Sequence, residues 1–407
     1  MTTFLLVIIY LAFISLGLPD SLLGVAWPVM KSDYGAPLET AGFLFMAIAG
    51  GTIISSLASG KILKRFGTGQ VTFVSVLMTA GALLGFNFAP SVLWLFLFAI
   101  PLGLGAGAID AGLNDYVATH YKAHHMSWLH CFWGVGATFG PIIMAQFISG
   151  QNTWRNGYFT IAAIQFTLAI ILFFTLPLWN RVVKNNNTTS NEEIVDSDEI
   201  IRDGEVKPLQ IKGVKLALAS FLFYCGVEAT VGLWGSSYLV NVREIPVAVA
   251  AQWVSFYYAG ITIGRFLTGF ITFKYSNRSL IRTGQLLALT GAIFLFLPLP
   301  SVFSLVGFIM IGLGLAPIFP CMLHETPTRF GKKHSQTIMG YQMAVAYTGS
   351  TFLPPLLGFM ASYTTIGIFP ICIILIIAAM LLSSEKLNVL LTKRALLKRE
   401  NANTTVI

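Results

Sequence analysis

Long uncharged stretches recur along almost the whole chain, and they constrain its fold more than any other feature. Two clear examples are VTFVSVLMTAGALLGFNFAP (71–90) and ICIILIIAAMLL (371–382). Apolar residues make up 55% of the 407 positions and charged residues only 10%, so a soluble domain of this size could not cover its own apolar surface. Lipid must therefore be the solvent for most of the chain.

Twelve stretches are long enough to cross a bilayer, since a membrane-spanning helix needs about 20 mainly apolar residues. We predict spans at residues 3–30, 38–59, 70–89, 91–120, 125–149, 157–179, 213–240, 248–273, 279–298, 301–326, 335–362 and 364–384. The first stretch lacks the basic segment and small-residue cleavage site of a signal peptide, so we expect it to be retained. The expected fold is an all-α membrane protein with twelve transmembrane helices.

The chain has a net charge of +8, and its basic residues are concentrated in particular predicted loops. Lys and Arg concentrate in the loops that share a side with both termini, whereas the opposite loops hold only Lys31, Arg155 and Arg243. Basic loops stay on the cytoplasmic side of a membrane. We therefore predict a multi-pass protein of the cell membrane with both termini in the cytoplasm, and no nucleic-acid partner.

A polar segment divides the predicted spans six and six. The stretch from residue 181 to 212 is rich in Asn, Ser, Thr and acidic residues, a composition that does not build a core. We predict an amino-terminal six-helix bundle at 1–180, a cytoplasmic linker at 181–212, a carboxyl-terminal six-helix bundle at 213–384 and a basic cytoplasmic tail at 385–407. The tail is expected to contact lipid headgroups.

The two halves share glycines at a constant separation of 209 residues. The matching pairs are Gly60 with Gly269, Gly103 with Gly312, Gly105 with Gly314, and Gly140 with Gly349. This repetition predicts two pseudo-symmetric six-helix bundles, as in transporters whose halves rock about a site near the middle of the membrane.

Charged side chains inside the predicted spans are the main functional candidates. Such a residue costs roughly 2.5–3.5 kcal/mol at the centre of a span and usually faces a cavity or a partner. Asp20 follows Pro19, which cannot donate a backbone hydrogen bond. We expect Asp20 to bind a solute hydroxyl or carry a proton, the alternative being a hydrogen bond between helices.

Span 4 carries a second carboxylate on one face with an amide. Asp110 and Asn114 are four residues apart, beside the small-residue run of Gly103, Gly105 and Gly107 that favours close helix packing. Asp110 is a candidate proton carrier and Asn114 a candidate solute ligand, against a purely structural polar contact. Asp115 points elsewhere and is predicted to belong to a gate or a loop.

Other candidates lie in spans 5, 7, 8, 10 and 11. His130 and Trp133 combine a hydrogen-bonding group with a flat apolar face, as a sugar pocket requires. Glu228 is a further candidate proton site, and Arg265 is predicted to pair with Glu228 or Asp110 because a lone buried charge is costly. Trp234, Tyr258 and Gln342 are candidate solute contacts, and Glu325 with Arg329 a candidate gate or helix-end salt bridge.

Enzyme chemistry has no support in the residue pattern. The four cysteines lie in apolar spans without metal-ligand spacing, and GLGAG (103–107) lies inside a span rather than in a strand-to-helix turn. We therefore expect no metal, no cofactor and no catalytic residues.

The chain resembles the major facilitator superfamily over essentially its whole length. The loop GKILKRFGTG has the Gly60 to Gly67 frame and Arg65 of that superfamily's signature loop, with Lys64 in place of the usual acid. The segments GLGAGAIDAGLNDYVATH (103–120), SWLHCFWGVGATFGP (127–141) and FYCGVEATVGLWGSSYL (223–239) resemble the fucose permease branch of sugar–proton symporters. That resemblance implies functional carboxylates at Asp20 and Asp110.

Two transport modes and one non-transport role follow from these features. The leading hypothesis is proton-coupled uptake of a small neutral hydroxylated solute, such as a sugar, by a monomer that alternates access to the two sides. The alternative is proton-driven efflux of a drug or metabolite, since GATFGP (136–141) resembles the superfamily's antiporter signature. A solute sensor without transport is a third possibility.

Overall fold

The computed structural model describes residues 2–121, 123–148, 153–187, 208–272 and 274–404, which are helical apart from short turns and connections. The helices are α1 (Thr2–Asp20), α2 (Leu22–Tyr34), α3 (Thr40–Phe66), α4 (Thr68–Phe88), α5 (Val92–His120), α6 (Ala123–Ile148), α7 (Trp154–Asn187), α8 (Val214–Arg243), α9 (Val247–Ile271), α10 (Asn277–Phe296), α11 (Val302–Leu315), α12 (Ile318–His324), α13 (Thr326–Phe330), α14 (Lys332–Tyr363) and α15 (Phe369–Thr404). The predicted all-α fold is thus confirmed.

Eleven segments of the described ranges are long and apolar enough to cross a membrane. Helix α14 covers the remaining predicted span, the eleventh, so the predicted count of twelve agrees with the helices observed. Two predicted spans are interrupted: the first consists of α1 and α2, and the tenth of α11, α12 and the start of α13. Helix α7 reaches Asn187, inside the predicted linker, and residues 188–207 lie outside the described ranges.

Glycines related by the 209-residue separation pack in equivalent ways. A Cβ atom on Gly105 would lie 2.7 Å from the carbonyl oxygen of Ser75, on α4. A Cβ atom on Gly314 would lie 2.5 Å from the carbonyl oxygen of Gly284, on α10, and Gly284 follows Ser75 by the same 209 residues. Each half therefore uses the same small-residue contact between its third and fourth spans, in agreement with the predicted repetition.

By contacts, the chain forms two compact units. Unit 1 contains the described residues of Met1–Asp196, Val231–Thr262 and Pro354–Phe369, and unit 2 those of Ser197–Thr230, Ile263–Leu353 and Pro370–Ile407. Unit 1 therefore contains the second part of α8, most of α9 and the last part of α14 together with the amino-terminal helices. The predicted bundles, in contrast, were continuous ranges of residues. Helix α15 also runs without interruption through the predicted tail as far as Thr404.

At one end of unit 1, called here the distal end, span 1 terminates at Tyr34. The indole of Trp154 donates to Asp33 Oδ2 over 2.6 Å, and Arg155 donates to the carbonyl oxygen of Ala89 over 3.1 Å. Tyr34 donates to the same carbonyl over 2.8 Å. These bonds join α2 and α7 to the turn after α4.

The distal end also contains close approaches between early and late helices of the chain. Gly24 of α2 lies directly against the backbone of Gly232 and Leu233 in α8. Gly42 of α3 meets Pro355 of α14, where an added Cβ atom would lie 2.8 Å from the proline Cα. Only glycine allows such contacts, because the opposing atoms belong to helix backbones.

Candidate functional site

The break in the first span is built around Pro19 and ends at Asp20. Proline has no N–H, so the carbonyl oxygen of Ser15 loses its partner within the helix. The side chain of Gln165, buried in α7, donates to that carbonyl over 2.7 Å and accepts from the Thr79 hydroxyl over 2.6 Å. The interrupted helix is therefore stabilised by a polar bridge that the apolar surroundings cannot supply.

Gln165 gives a direct test of this bridge. Gln165→Leu is expected to lower the free energy of unfolding by about 1–3 kcal/mol, because the Ser15 carbonyl would be buried without a partner. The measurement is denaturant unfolding in detergent micelles. Gln252→Leu, at an exposed position of α9, is the matched control and should leave stability nearly unchanged. Equal effects of the two changes would contradict a role for Gln165 in holding the break.

Helices α1 and α6 approach closely beside the break. Gly17 lies directly against the backbone of Trp133, and Gly136 lies directly against the backbone of Ile14. A Cβ atom on Gly140 would lie 2.5 Å from the carbonyl oxygen of Leu18. This seam of glycines holds the two helices close together at the level of Asp20.

This glycine seam brings the indole of Trp133 within hydrogen-bonding distance of the Asp20 carboxylate. Trp133 Nε1 donates to Asp20 Oδ2 over 2.7 Å. Asp20 is exposed although Leu18, Ser21 and Leu22 around it are buried, so its side chain is accessible rather than packed in the core. Within the described ranges its Oδ1 atom has no hydrogen-bond partner and can accept a further donor.

Asp110 and Asn114 form a second polar pair on α5. Asn114 Nδ2 donates to Asp110 Oδ1 over 2.9 Å and to the Asp110 carbonyl over 2.9 Å. Both residues are half-buried, whereas Asp115 is exposed.

The remaining candidates of unit 1 differ in accessibility. His130 is half-buried, with its ring edge-on to Phe13 at 5.8 Å between centroids. Trp234 is fully buried and donates to the carbonyl oxygen of Pro354 over 2.7 Å, and Tyr258 is only 6% exposed. In this conformation Trp234 and Tyr258 are core residues, and a solute contact by either stays a prediction.

Unit 2 contains an ion pair within the membrane-spanning region. Arg265 Nη2 donates to Glu228 Oε1 over 3.0 Å and to the Tyr224 hydroxyl over 3.1 Å. The side chains of Arg265 and Glu228 are only 16% and 17% exposed. Arg265 is thus paired with Glu228, one of its two predicted partners.

Removing either member of this pair should be costly. Glu228→Gln or Arg265→Gln is expected to lower the free energy of unfolding by about 3 kcal/mol, because the other charge stays largely buried without compensation. The double variant should lose less than the sum of the single losses. Denaturant unfolding of the four proteins in detergent measures this coupling, and additive losses would show that the two charges do not stabilise each other.

Other candidates lie near the junction of α12 and α13 in unit 2. Arg329 Nε donates to Glu325 Oε2 over 3.2 Å, and Asn277 Nδ2 donates to Glu325 Oε1 over 3.0 Å. Burial lowers the pKa of the Arg329 guanidinium, an effect that Glu325 opposes. Gln342 is 1% exposed and accepts a hydrogen bond from Thr326 over 3.0 Å, so its amide is not on an open surface.

Several polar partners were not among the sequence candidates, Gln165, Tyr224 and Asn277 among them. Gln165 could have been sought, since Pro19 leaves a carbonyl that needs a donor, but nothing in the sequence says which helix supplies it. Tyr224 is four residues before Glu228 and so shares its helix face, which is a weak signal. Asn277 begins a helix and carries no pattern that points to Glu325.

Comparison with known proteins supports the fold and the class of protein. The family model described as "Major Facilitator Superfamily" matches residues 9–351 and 216–398. The glucose/mannose transporter GlcP of Bacillus subtilis (strain 168) is 26% identical over 341 residues, covering 80% of this chain and 80% of the relative. The 4-hydroxybenzoate transporter PcaK of Acinetobacter baylyi (strain ATCC 33305 / BD413 / ADP1) is 24% identical over 204 residues, covering 49% and 43%.

Solved structures agree with this fold. The inward open conformation of the xylose transporter XylE from E. coli has a TM-score of 0.74 at 13% identity, covering 95% of this chain and 96% of that chain. A mutant form of the nucleoside transporter NupG has a TM-score of 0.71 at 11% identity, covering 94% and 98%. At such identities the likeness concerns the fold alone.

Proposed function

This chain belongs to the Major Facilitator Superfamily, and we propose that it takes up a small neutral hydroxylated solute, such as a sugar, together with protons by alternating access. The observation that carries the proposal is the exposed Asp20 carboxylate at the break of span 1, held on one oxygen by Trp133. A carboxylate in a membrane span is expensive and usually serves a ligand or a proton pathway. Membership of the superfamily makes the protein a membrane transporter rather than an enzyme by class.

Asp20 and Trp133 suit a sugar-like solute. The Oδ1 atom of Asp20 can accept a solute hydroxyl, and the indole beside it offers a flat face to the C–H groups of a sugar ring. Asn114 and His130 are proposed further solute contacts. In unit 2, Arg265 is compensated by Glu228, so this pair offers no net positive charge that would favour an anionic solute.

Proton carriage is assigned to Asp110 and Glu228. Asp110 is less exposed than Asp20 and accepts from Asn114, an arrangement in which a carboxyl can exchange its proton while its position is held. Protonation of Glu228 would remove the charge that holds Arg265, and we propose that solute or proton binding breaks this pair. Glu325 and Arg329 are proposed to act as a gate, with Asp115 as a further gate residue.

The proposed setting is the cell membrane, with both termini in the cytoplasm and the distal end outside. This orientation rests on the excess of Lys and Arg in the loops on the side of the termini. The protein is proposed to work as a monomer, with lipid, solute and protons as its partners.

Reconstitution into liposomes tests the proposal. An inward proton gradient should drive accumulation of at least one sugar from a panel, and a protonophore should abolish it. Efflux of cationic drugs in exchange for protons, without movement of any sugar, would overturn it in favour of export. The glycines of GATFGP do not themselves require antiport, since Gly136 and Gly140 are already explained by packing against α1.

A further inference from the structure

A small cavity lies in unit 2, away from the Glu228 ion pair. Its polar lining comes from Ser220 of α8, Thr326 and Arg329 of α13, Gln342 of α14 and Ser384 of α15. The cavity offers about 10 Å³ to the centre of a water molecule, which is about the room that one water needs.

Two side chains that line this cavity have donor atoms without a partner in the described ranges. The Arg329 side chain is 9% exposed, and its only hydrogen bond in the described ranges uses Nε. Gln342 is 1% exposed, and its amide oxygen accepts from Thr326 while its Nε2 atom has no partner within the same ranges. Buried donors without acceptors are costly, above all on a charged group.

The hydroxyls of the lining offer the opposite chemistry. Ser220 donates its proton to the carbonyl of Leu216 over 3.1 Å, and Ser384 donates to Gln285 Oε1 over 2.9 Å. Thr326 likewise donates to Gln342 Oε1. Because each hydroxyl proton is donated elsewhere, these oxygens can act towards the cavity only as hydrogen-bond acceptors.

A water molecule fits this arrangement, since it accepts two hydrogen bonds and donates two. An anion would meet the hydroxyl lone pairs, and a cation would meet the Arg329 guanidinium. We propose that the cavity is a binding site for one structural water, which accepts from Arg329 and Gln342 and donates to the serine and threonine oxygens. The water would tie α8, α13, α14 and α15 together at this end of unit 2 and complete the bonding of Arg329.

The direct test is a high-resolution crystal structure of the whole protein grown in a lipidic mesophase, with the buffer chloride replaced by bromide in a parallel crystal. One density peak within hydrogen-bonding distance of Arg329 and Gln342, without anomalous bromide signal, is expected. An empty cavity, or a bromide peak there, would overturn the proposal.

A pair of variants tests the same site in solution. Ser220→Ala removes one acceptor of the water and should lower the unfolding temperature by about 1–2 °C more than a control serine that loses only its own bond to a helix carbonyl. Ser255→Ala is the matched control, because the buried Ser255 hydroxyl likewise donates to a carbonyl of its own helix, that of Gln252, and does not line the cavity. Identical shifts for both variants, or a stabilisation of the protein by chloride over gluconate that Ser220→Ala abolishes, would contradict a water at this position.

Discussion

Asp110→Asn is expected to reduce proton-driven accumulation of the solute to an inside-to-outside ratio of about one, while exchange of solute across the membrane continues. Asparagine retains an oxygen that can accept from Asn114 Nδ2, so the local geometry is kept. It cannot bind and release a proton, so the proton gradient no longer drives transport. The measurement is accumulation and counterflow in liposomes with an imposed pH gradient.

Asp20→Asn distinguishes the proposed role of Asp20 in solute binding from that of Asp110 in proton coupling. An amide oxygen can still accept from Trp133, but the charge that would bind solute hydroxyls is lost. Hydrogen bonds to charged groups contribute about 1.5–3 kcal/mol, so solute affinity should fall about tenfold to a hundredfold. Glu244→Gln, on an exposed turn after α8, is the control and should leave both measurements unchanged.

Full accumulation by Asp110→Asn would remove Asp110 from proton coupling.

Gly24→Leu is expected to have a comparably large effect on transport through a different cause. Any Cβ atom on Gly24 would overlap the backbone of Gly232 and would lie 2.8 Å from the Leu233 Cα atom. Overpacking of this kind costs about 1–3 kcal/mol, which is roughly tenfold or more in the population of the state in which these helices touch. If the distal end must open and close during transport, the variant will favour the open state.

The expected result for Gly24→Leu is a transport rate lowered about tenfold with solute affinity nearly retained. Transport is measured in liposomes and affinity by equilibrium binding in detergent. Gly81→Leu is the matched control, because no atom lies within 4 Å of a Cβ atom built on Gly81. Normal transport by Gly24→Leu would show that the contact between Gly24 and Gly232 is not part of the cycle.

Much of the fold could be predicted because hydropathy acts locally along a membrane chain. The spans followed from apolar length, and the repetition followed from glycines such as Gly105 and Gly314, whose packing partners are also 209 residues apart. The breaks in spans 1 and 10 were not predicted as helix ends, since an apolar stretch around Pro19 or Pro317 has the same hydropathy whether or not the helix continues.

The sequence by itself determined that this chain spans a membrane, that it is duplicated, and which few charged residues stand in its spans. Only the tertiary structure decided which of those residues meet. Trp133 donates to Asp20, Arg265 pairs with Glu228, and Gln165 donates to the Ser15 carbonyl. Trp234 and Gln342, in contrast, are buried in the core. The physical reason is that each residue turns a helix face by about 100°, so the partners across a seam depend on the rotation and tilt of whole helices, which small residues such as Gly17 and Gly136 set through packing.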